Sequence, residues 1–253
     1  LKAGETFYTY QNGIPEVREE ISKYMNKMFD VKTSPFQHSI VNGGMLGIKI
    51  CCEIVLEKGD EVVIVGPVWP NIRSSVVLRE AVINEVSLDF DKTWTLDLNK
   101  LLNAITDKTK AILTVNLLGN PNDFDAIQDL VGDRNVIILE DNCESMGATW
   151  HDTHNDVTIY LGTLGFAGSH SFFFSHHLQT MEGGMICTPN QDDYHWLKSL
   201  RAHGWCRELP DKFELYNKSG SFFKDSFTFV TPGYSVRPLE MSGAIGSVHS
   251  SIR

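Results

Sequence analysis

The stretch "SIVNGGMLGIKICCEIVL", residues 39 to 56, decides the fold. A short β-branched run, Ser39-Ile40-Val41, stops at Asn42-Gly43-Gly44, and an uninterrupted apolar-rich segment with helical spacing follows it. A strand that ends in a glycine turn and opens straight into a helix is the repeating unit of alternating α/β sheets. The same order recurs downstream: EVVIVG (61–66) precedes NIRSSVVLRE (71–80), AVINEVSL (81–88) precedes LDLNKLLNAI (96–105), and AILTVNLL (111–118) precedes FDAIQDLV (124–131), with VIILED (136–141) closing the series. Upstream, residues 14–29 place Val17, Ile21, Tyr24, Met25 and Met28 three and four apart, which predicts a helix with one apolar face begun by Pro15. The expected fold is one α/β domain with a mainly parallel sheet and helices on both faces.

Composition narrows the function classes. The 253 residues, 42% hydrophobic and 21% charged, suffice for a substantial core. A net charge of -10 lacks the basic footprint of a nucleic-acid or anionic-membrane surface, so an anionic ligand must be held by local donors. No apolar run reaches membrane-span length and Leu1-Lys2-Ala3-Gly4-Glu5 lacks a signal-peptide core, so the expected location is the cytoplasm. Five cysteines, Cys51, Cys52, Cys143, Cys187 and Cys206, are odd in number and show no C-x-x-C spacing, which predicts reduced thiols and no metal site.

In open α/β sheets the ligand lies outside the carboxyl ends of the strands. Three of the turns there carry chemistry. Asn42-Gly43-Gly44-Met45 is either a plain turn or a phosphate cradle at a helix N-terminus. Trp69, between Pro67 and Pro70, is either a packed surface aromatic or a stacking platform for a planar ring. Asp141, at the end of VIILED, is either a helix cap or the partner that keeps a heteroaromatic nitrogen protonated. A phosphate cradle, a stacking aromatic and a pyridinium partner together suggest pyridoxal phosphate.

From about Trp94 to Gly246 the chain closely resembles the sugar-nucleotide aminotransferase/dehydratase family of fold type I pyridoxal-phosphate enzymes, above all its 3-dehydratase branch acting on GDP-4-keto-6-deoxymannose. The resemblance rests on TKAILTVNLLGNPNDFDAI, EDNCESMGA, FFSHHLQTMEGG, LRAHGWCRELP and FVTPGYSVRPLEMSGAIG. Residues 1–93, with GIPEVREEISKYM, SIVNGGMLGIKI and LEKGDEVVIVGPVWPNI, are more similar to a class I aminotransferase, which shares the large-domain architecture. The resemblance implies the large domain of that fold, and it implies that the chain stops before a small carboxy-terminal domain.

Family aminotransferases carry a lysine, covalently bonded to the cofactor, six residues before the Glu of the E-G-G turn; counting back from Glu182 reaches His176. No lysine stands between Lys110 and Lys198, so nothing in that region replaces it. The same substitution marks the dehydratase branch. The resemblance therefore implies that glutamate converts the cofactor to pyridoxamine phosphate, that the amine engages a 4-keto sugar nucleotide, and that the C3 hydroxyl is eliminated with His176 as acid and base. Imidazole suits both roles because it titrates near neutrality. His177 is the weaker candidate, and no carboxylate or thiol is spaced to join His170 in a metal site. By position the resemblance assigns cofactor contacts to Gly44, Met45, Trp69, Asp141, Glu144, Ser171, His176 and Ser235. It places Ser235, where the family usually has Asn, at the neighbouring subunit's cofactor in a homodimer, and gives Arg237 to the same interface or to the anionic substrate.

Overall fold

The computed structural model describes residues 10–30, 32–90, 94–236 and 238–252. The chain begins with α1 (Pro15–Phe29) and β1 (His38–Val41), and continues through α2 (Gly44–Val55), β2 (Glu61–Gly66), α3 (Pro70–Val77), β3 (Val82–Ser87), α4 (Leu98–Ala104), β4 (Thr109–Val115), α5 (Phe124–Val131) and β5 (Ile137–Asp141). These are the elements the strand-turn-helix alternation predicts, with ends moved by a few residues. Proline at N1 starts α1 and α3, and the Asp97 side chain caps α4 by accepting from the N–H groups of Asn99 and Lys100. Met28, expected on the buried face of α1, is exposed; Val17, Ile21, Tyr24 and Met25 are buried as expected.

After β5 come a hairpin of β6 (Thr149–Asp152) and β7 (Val157–Tyr160), then β8 (Ala167–Ser171), β9 (Gly184–Cys187) and α6 (Gln191–Arg201). A two-residue-per-strand hairpin, β10 (Lys212–Phe213) with β11 (Tyr216–Asn217), leads to α7 (Phe222–Ser226) and α8 (Glu240–Ile252). One seven-stranded sheet has the order β1-β9-β8-β5-β4-β2-β3. Pairings β8 to β5, β5 to β4, β4 to β2 and β2 to β3 are parallel, while β9 runs against both of its neighbours. The two segments distinguished in the sequence, before and after residue 94, therefore share one sheet.

Apolar clusters cover both faces, as a mainly parallel sheet requires. Ile48, Cys52 and Val55 of α2 pack with Val62, Ile64 and Leu113, whereas Leu101, Phe124 and Ile127 pack with the alternate residues Val63, Val65 and Ile112. The alternation along β2 is the period-two geometry of a strand. A third cluster, with Val17, Ile21 and Met25 of α1 against Ile40, Tyr160 and Met185, lies over the antiparallel edge. No helix among the described residues is long and apolar enough to cross a membrane.

Candidate functional site

Because β1 and β8 are both antiparallel to β9, they point the same way as β2, β4 and β5, and the carboxyl ends of all five strands share one edge of the sheet. Register fixes the geometry there. Asp141 pairs with Val115 on one side and Ser169 on the other, and Gly184 pairs with both Ser171 and Val41. The turns that leave these ends surround a cavity of about 560 Å³, lined by Gly43, Gly44, Met45, Trp69, Asp141, Glu144, Ser171 and His176 among others. Every cofactor contact assigned from the sequence up to residue 176 is thus at one place.

The glycines are there for close approach. A β-carbon on Gly44 would lie 2.6 Å from Cys143 Sγ and 3.0 Å from Ser171 Cβ, and one on Gly184 would lie 2.5 Å from the Gly43 carbonyl carbon. Side chains at either position would push the start of α2 off the sheet. Ser169 Oγ ties the same turn down by donating to the Gly44 carbonyl at 2.6 Å. The first N–H groups of α2, which have no acceptor within the helix, are thereby held at the cavity wall beside Ser171.

Trp69 is 64% exposed although it is large and apolar, and Pro70 begins α3 immediately after it. It stands at the cavity as an unburied ring face, which favours the stacking reading over a packed aromatic. Asp141 is only 5% exposed. Burial raises its carboxyl above the ordinary range; hydrogen bonds from the Cys143 thiol and N–H act against that shift, the charge of Glu144 adds to it, and His176 opposes it. The Cys143 N–H donates to Asp141 Oδ1 at 3.0 Å. Glu140, its neighbour in β5, turns away and accepts from the N–H groups of Gly162, Leu164 and Gly165 and from Asn116, so it braces the loop behind the site. Glu144 accepts from the Leu118 N–H at 3.2 Å, which fixes the turn after β4 at the cavity rim.

His176 is half-buried, its N–H donates to the Phe173 carbonyl at 3.0 Å, and its ring stands edge-on to Phe173 with centroids 6.4 Å apart. His177 is exposed and does not line the cavity. His170, within β8, is fully buried and stacked on Tyr160 at 6.0 Å. Ser235 is exposed and forms an isolated bridge with Ala202, away from this chain's own cavity. Arg237 lies outside the described residues.

Sequence reasoning gave no site role to Cys143, Leu117, Phe173, Ser175 or Glu182, all of which line the cavity. Only their places in the turns after β4, β5 and β8 could have pointed to them. Of the His, Cys, Asp and Glu side chains described, one group comes close enough to hold a metal ion: Asp125, Asp152 and His154. Its carboxylates are engaged within the β6–β7 hairpin, Asp152 with the N–H groups of His154 and Asn155, and Asp125 with Trp150 and Thr153.

Comparison with known proteins identifies the family. GDP-4-keto-6-deoxy-D-mannose 3-dehydratase of Escherichia coli O55:H7 is 49% identical over 192 residues, 76% of this chain and 48% of that protein. The enzyme of the same name from Yersinia pseudotuberculosis is 43% identical over 242 residues, 94% of this chain and 59% of its own length. A crystal structure of GDP-4-keto-6-deoxymannose-3-dehydratase with a trapped PLP-glutamate geminal diamine superposes with a TM-score of 0.81 at 40% identity, over 93% of this chain and 60% of that one. The chain thus spans about half to three-fifths of these relatives. The model of the DegT/DnrJ/EryC1/StrS aminotransferase family matches residues 33–250, and the chain belongs to that family.

Proposed function

We propose that this chain carries the cofactor site of a pyridoxal-phosphate-dependent dehydratase that removes the C3 hydroxyl of a nucleotide-linked 4-keto-6-deoxy sugar, GDP-4-keto-6-deoxymannose, with glutamate as amino donor. The observation that carries this reading is His176 on the cavity wall where an aminotransferase needs lysine, in a region that has no lysine from residue 111 to 197. The residues fit the cofactor. Glycines packed to contact distance hold the α2 N-terminus beside Ser171 for a phosphate, Trp69 offers an open ring face, and the buried Asp141 offers a carboxylate for a pyridinium nitrogen. Named relatives of this family use the same sugar substrate, and one was trapped with glutamate on PLP.

Bound there, the pyridoxamine form would supply an amine for a keto carbon and a ring able to take up electrons. The protein's part is positional and protonic. Asp141 would pair with the ring nitrogen and favour its protonated form, and Trp69 would offer its face to the ring. His176 would accept a proton at one imidazole nitrogen and return it to the departing hydroxyl oxygen, a double role that a single positioned imidazole can fill. Without a lysine amine, release of an aminated product has no covalent assistance, which favours elimination. Glu144 contributes at the rim beside the ring.

The assembly in this reading is a cytoplasmic homodimer with shared sites. Ser235 stands exposed and away from its own cavity, as a residue that serves the partner's cofactor would, and Arg237 is two residues later in the sequence. Mass spectrometry of a reaction of the protein with GDP-4-keto-6-deoxymannose, pyridoxal phosphate and glutamate tests the proposal. The expected product is one oxygen atom lighter than the substrate; an aminated sugar, or no conversion, refutes it.

A further inference from the structure

Asp141 is the last residue of β5, and from residue 142 the chain leaves the sheet in a series of turns. Strand ends are where a ladder opens most readily. A carboxylate that must meet one ring nitrogen needs a firmer hold than that. Its carbonyl accepts from the Asn116 N–H at 3.1 Å, one residue beyond the end of β4.

The Asn116 side chain extends the same hold to both neighbours of Asp141. It is fully buried, and its Nδ2 donates to Glu140 Oε2 at 3.2 Å and to Asn142 Oδ1 at 2.7 Å. One residue thus bonds three consecutive positions, 140, 141 and 142. Its Oδ1 accepts from the Asn122 N–H at 3.3 Å and from Asn122 Nδ2 at 3.1 Å, so both donors and both acceptor sites of the amide are used. The amide has one orientation: the Asn122 backbone N–H can only donate, so the atom facing it is the oxygen, and the nitrogen faces Glu140.

Side chains alternate along an extended chain, so Glu140 and Asn142 lie on one side and Asp141 on the other. Asn116 grips the two flanking residues from the far side while Asp141 lines the cavity; Asn116 does not line it. Each flank is anchored again. Glu140 accepts from the N–H groups of Gly162, Leu164 and Gly165, and Asn142 accepts from Ser145 Oγ at 2.9 Å and donates its N–H to the Ser169 carbonyl at 2.7 Å. Removing one member of such a buried network leaves the others unpaired and free to shift.

Resting on the cofactor reading above, we propose that Asn116 is a positioning residue that, by holding residues 140, 141 and 142 together, fixes the Asp141 carboxylate against the cofactor's ring nitrogen. It acts through Asp141 and touches no ligand itself.

The test compares two ligands by equilibrium dialysis, with no turnover required: pyridoxamine phosphate and its 1-deaza analogue, in which C–H replaces the ring nitrogen. The parental protein should prefer the nitrogen ring. Asn116→Ala should lower that preference about tenfold, the size of one lost hydrogen bond to a charged group. In an Asp141→Asn background, Asn116→Ala should change the preference no further. Asn122→Ala, which removes the donors to Asn116 Oδ1 and leaves the bonds to Glu140 and Asn142, should lower it by a smaller factor and serves where Asn116→Ala does not fold. An unchanged preference in the variants overturns the inference, even if both affinities fall together, because equal losses mark a purely structural role. So does a further change in the Asp141→Asn background, or a parental protein that binds the two ligands equally. A parental protein that binds neither ligand fails the proposed function itself, an outcome distinct from an unchanged preference.

Discussion

Acidification should unfold this protein through two histidines that take no part in catalysis. His38 and His170 are both fully buried in the antiparallel part of the sheet, where β9 lies between them: His38 pairs with Cys187, and His170 pairs with Met185. His38 bonds Thr33 at 3.1 Å and Cys187 at 3.4 Å, whereas neither ring nitrogen of His170 has a hydrogen-bond partner among the described residues. Burial lowers His38 from 6.5 to about 3, with the charges of His170 and Arg18 adding to the shift, and burial alone lowers His170 to about 4. Both rings are therefore neutral in the folded protein where the unfolded chain would bind protons, and stability falls as pH drops below the unfolded value of 6.5. Each ring contributes a slope of about 1.36 kcal/mol per pH unit, so at about pH 5 the loss is roughly 2 kcal/mol per ring and 4 kcal/mol for the pair. That is a large part of a typical stability of about 5–15 kcal/mol. Glu140 and Asp141, raised by burial, act in the opposite sense because they take up protons in the folded state. A comparison with His170→Leu removes that complication. Urea denaturation of both proteins across the acid range should show the parent losing about 2 kcal/mol relative to the variant between about pH 7.5 and pH 5. Parallel stability curves would refute the assignment of a neutral buried imidazole at 170.

Four further outcomes are expected. Borohydride treatment of the cofactor-loaded protein followed by peptide mapping should yield no pyridoxyl-lysine, because no lysine occurs from residue 111 to 197; finding such a peptide ends the lysine-free reading. His176→Asn should retain cofactor absorbance yet slow elimination by about a hundred- to ten-thousandfold, the usual span for a positioned acid/base, whereas exposed His177→Asn should cost far less. His176→Lys should restore a covalent cofactor link and shift the product toward the amino sugar. Light scattering should report a dimer; a strict monomer that still holds cofactor tightly would remove Ser235 and Arg237 from the site.

The part of the site that the sequence revealed lies on strands that announce themselves. EVVIVG and VIILED are β-branched runs bounded by turn residues, so their ends, and with them Trp69 and Asp141, can be placed from residue type and spacing alone. The strands β8 and β9 are not of that kind. Ala167-Gly168-Ser169-His170-Ser171 has no β-branched residue, and Gly184–Cys187 is only four residues long. Both are strands because tertiary pairing overrides weak propensity. Their weak local signal also hid the antiparallel edge that β9 creates beside β1.

With β8 a strand, its period of two separates Ser169 and Ser171 from His170. Ser169 and Ser171 face α2: Ser169 bonds the Gly44 carbonyl and Ser171 lines the cavity. His170 between them must face the other way, toward Tyr160, and is lost to the site for that geometric reason alone. No periodicity could choose between His176 and His177, because they lie in the irregular turn between β8 and β9. There the choice is made by the Phe173 carbonyl, which holds the His176 N–H, and by a backbone path that leaves His177 exposed and off the cavity wall. That turn must also close at Gly183 and Gly184, and a β-carbon at 184 would meet the Gly43 backbone. The two glycines that end the histidine turn and the two that open α2 are thus one contact, which ties the placement of His176 to the placement of the α2 N-terminus.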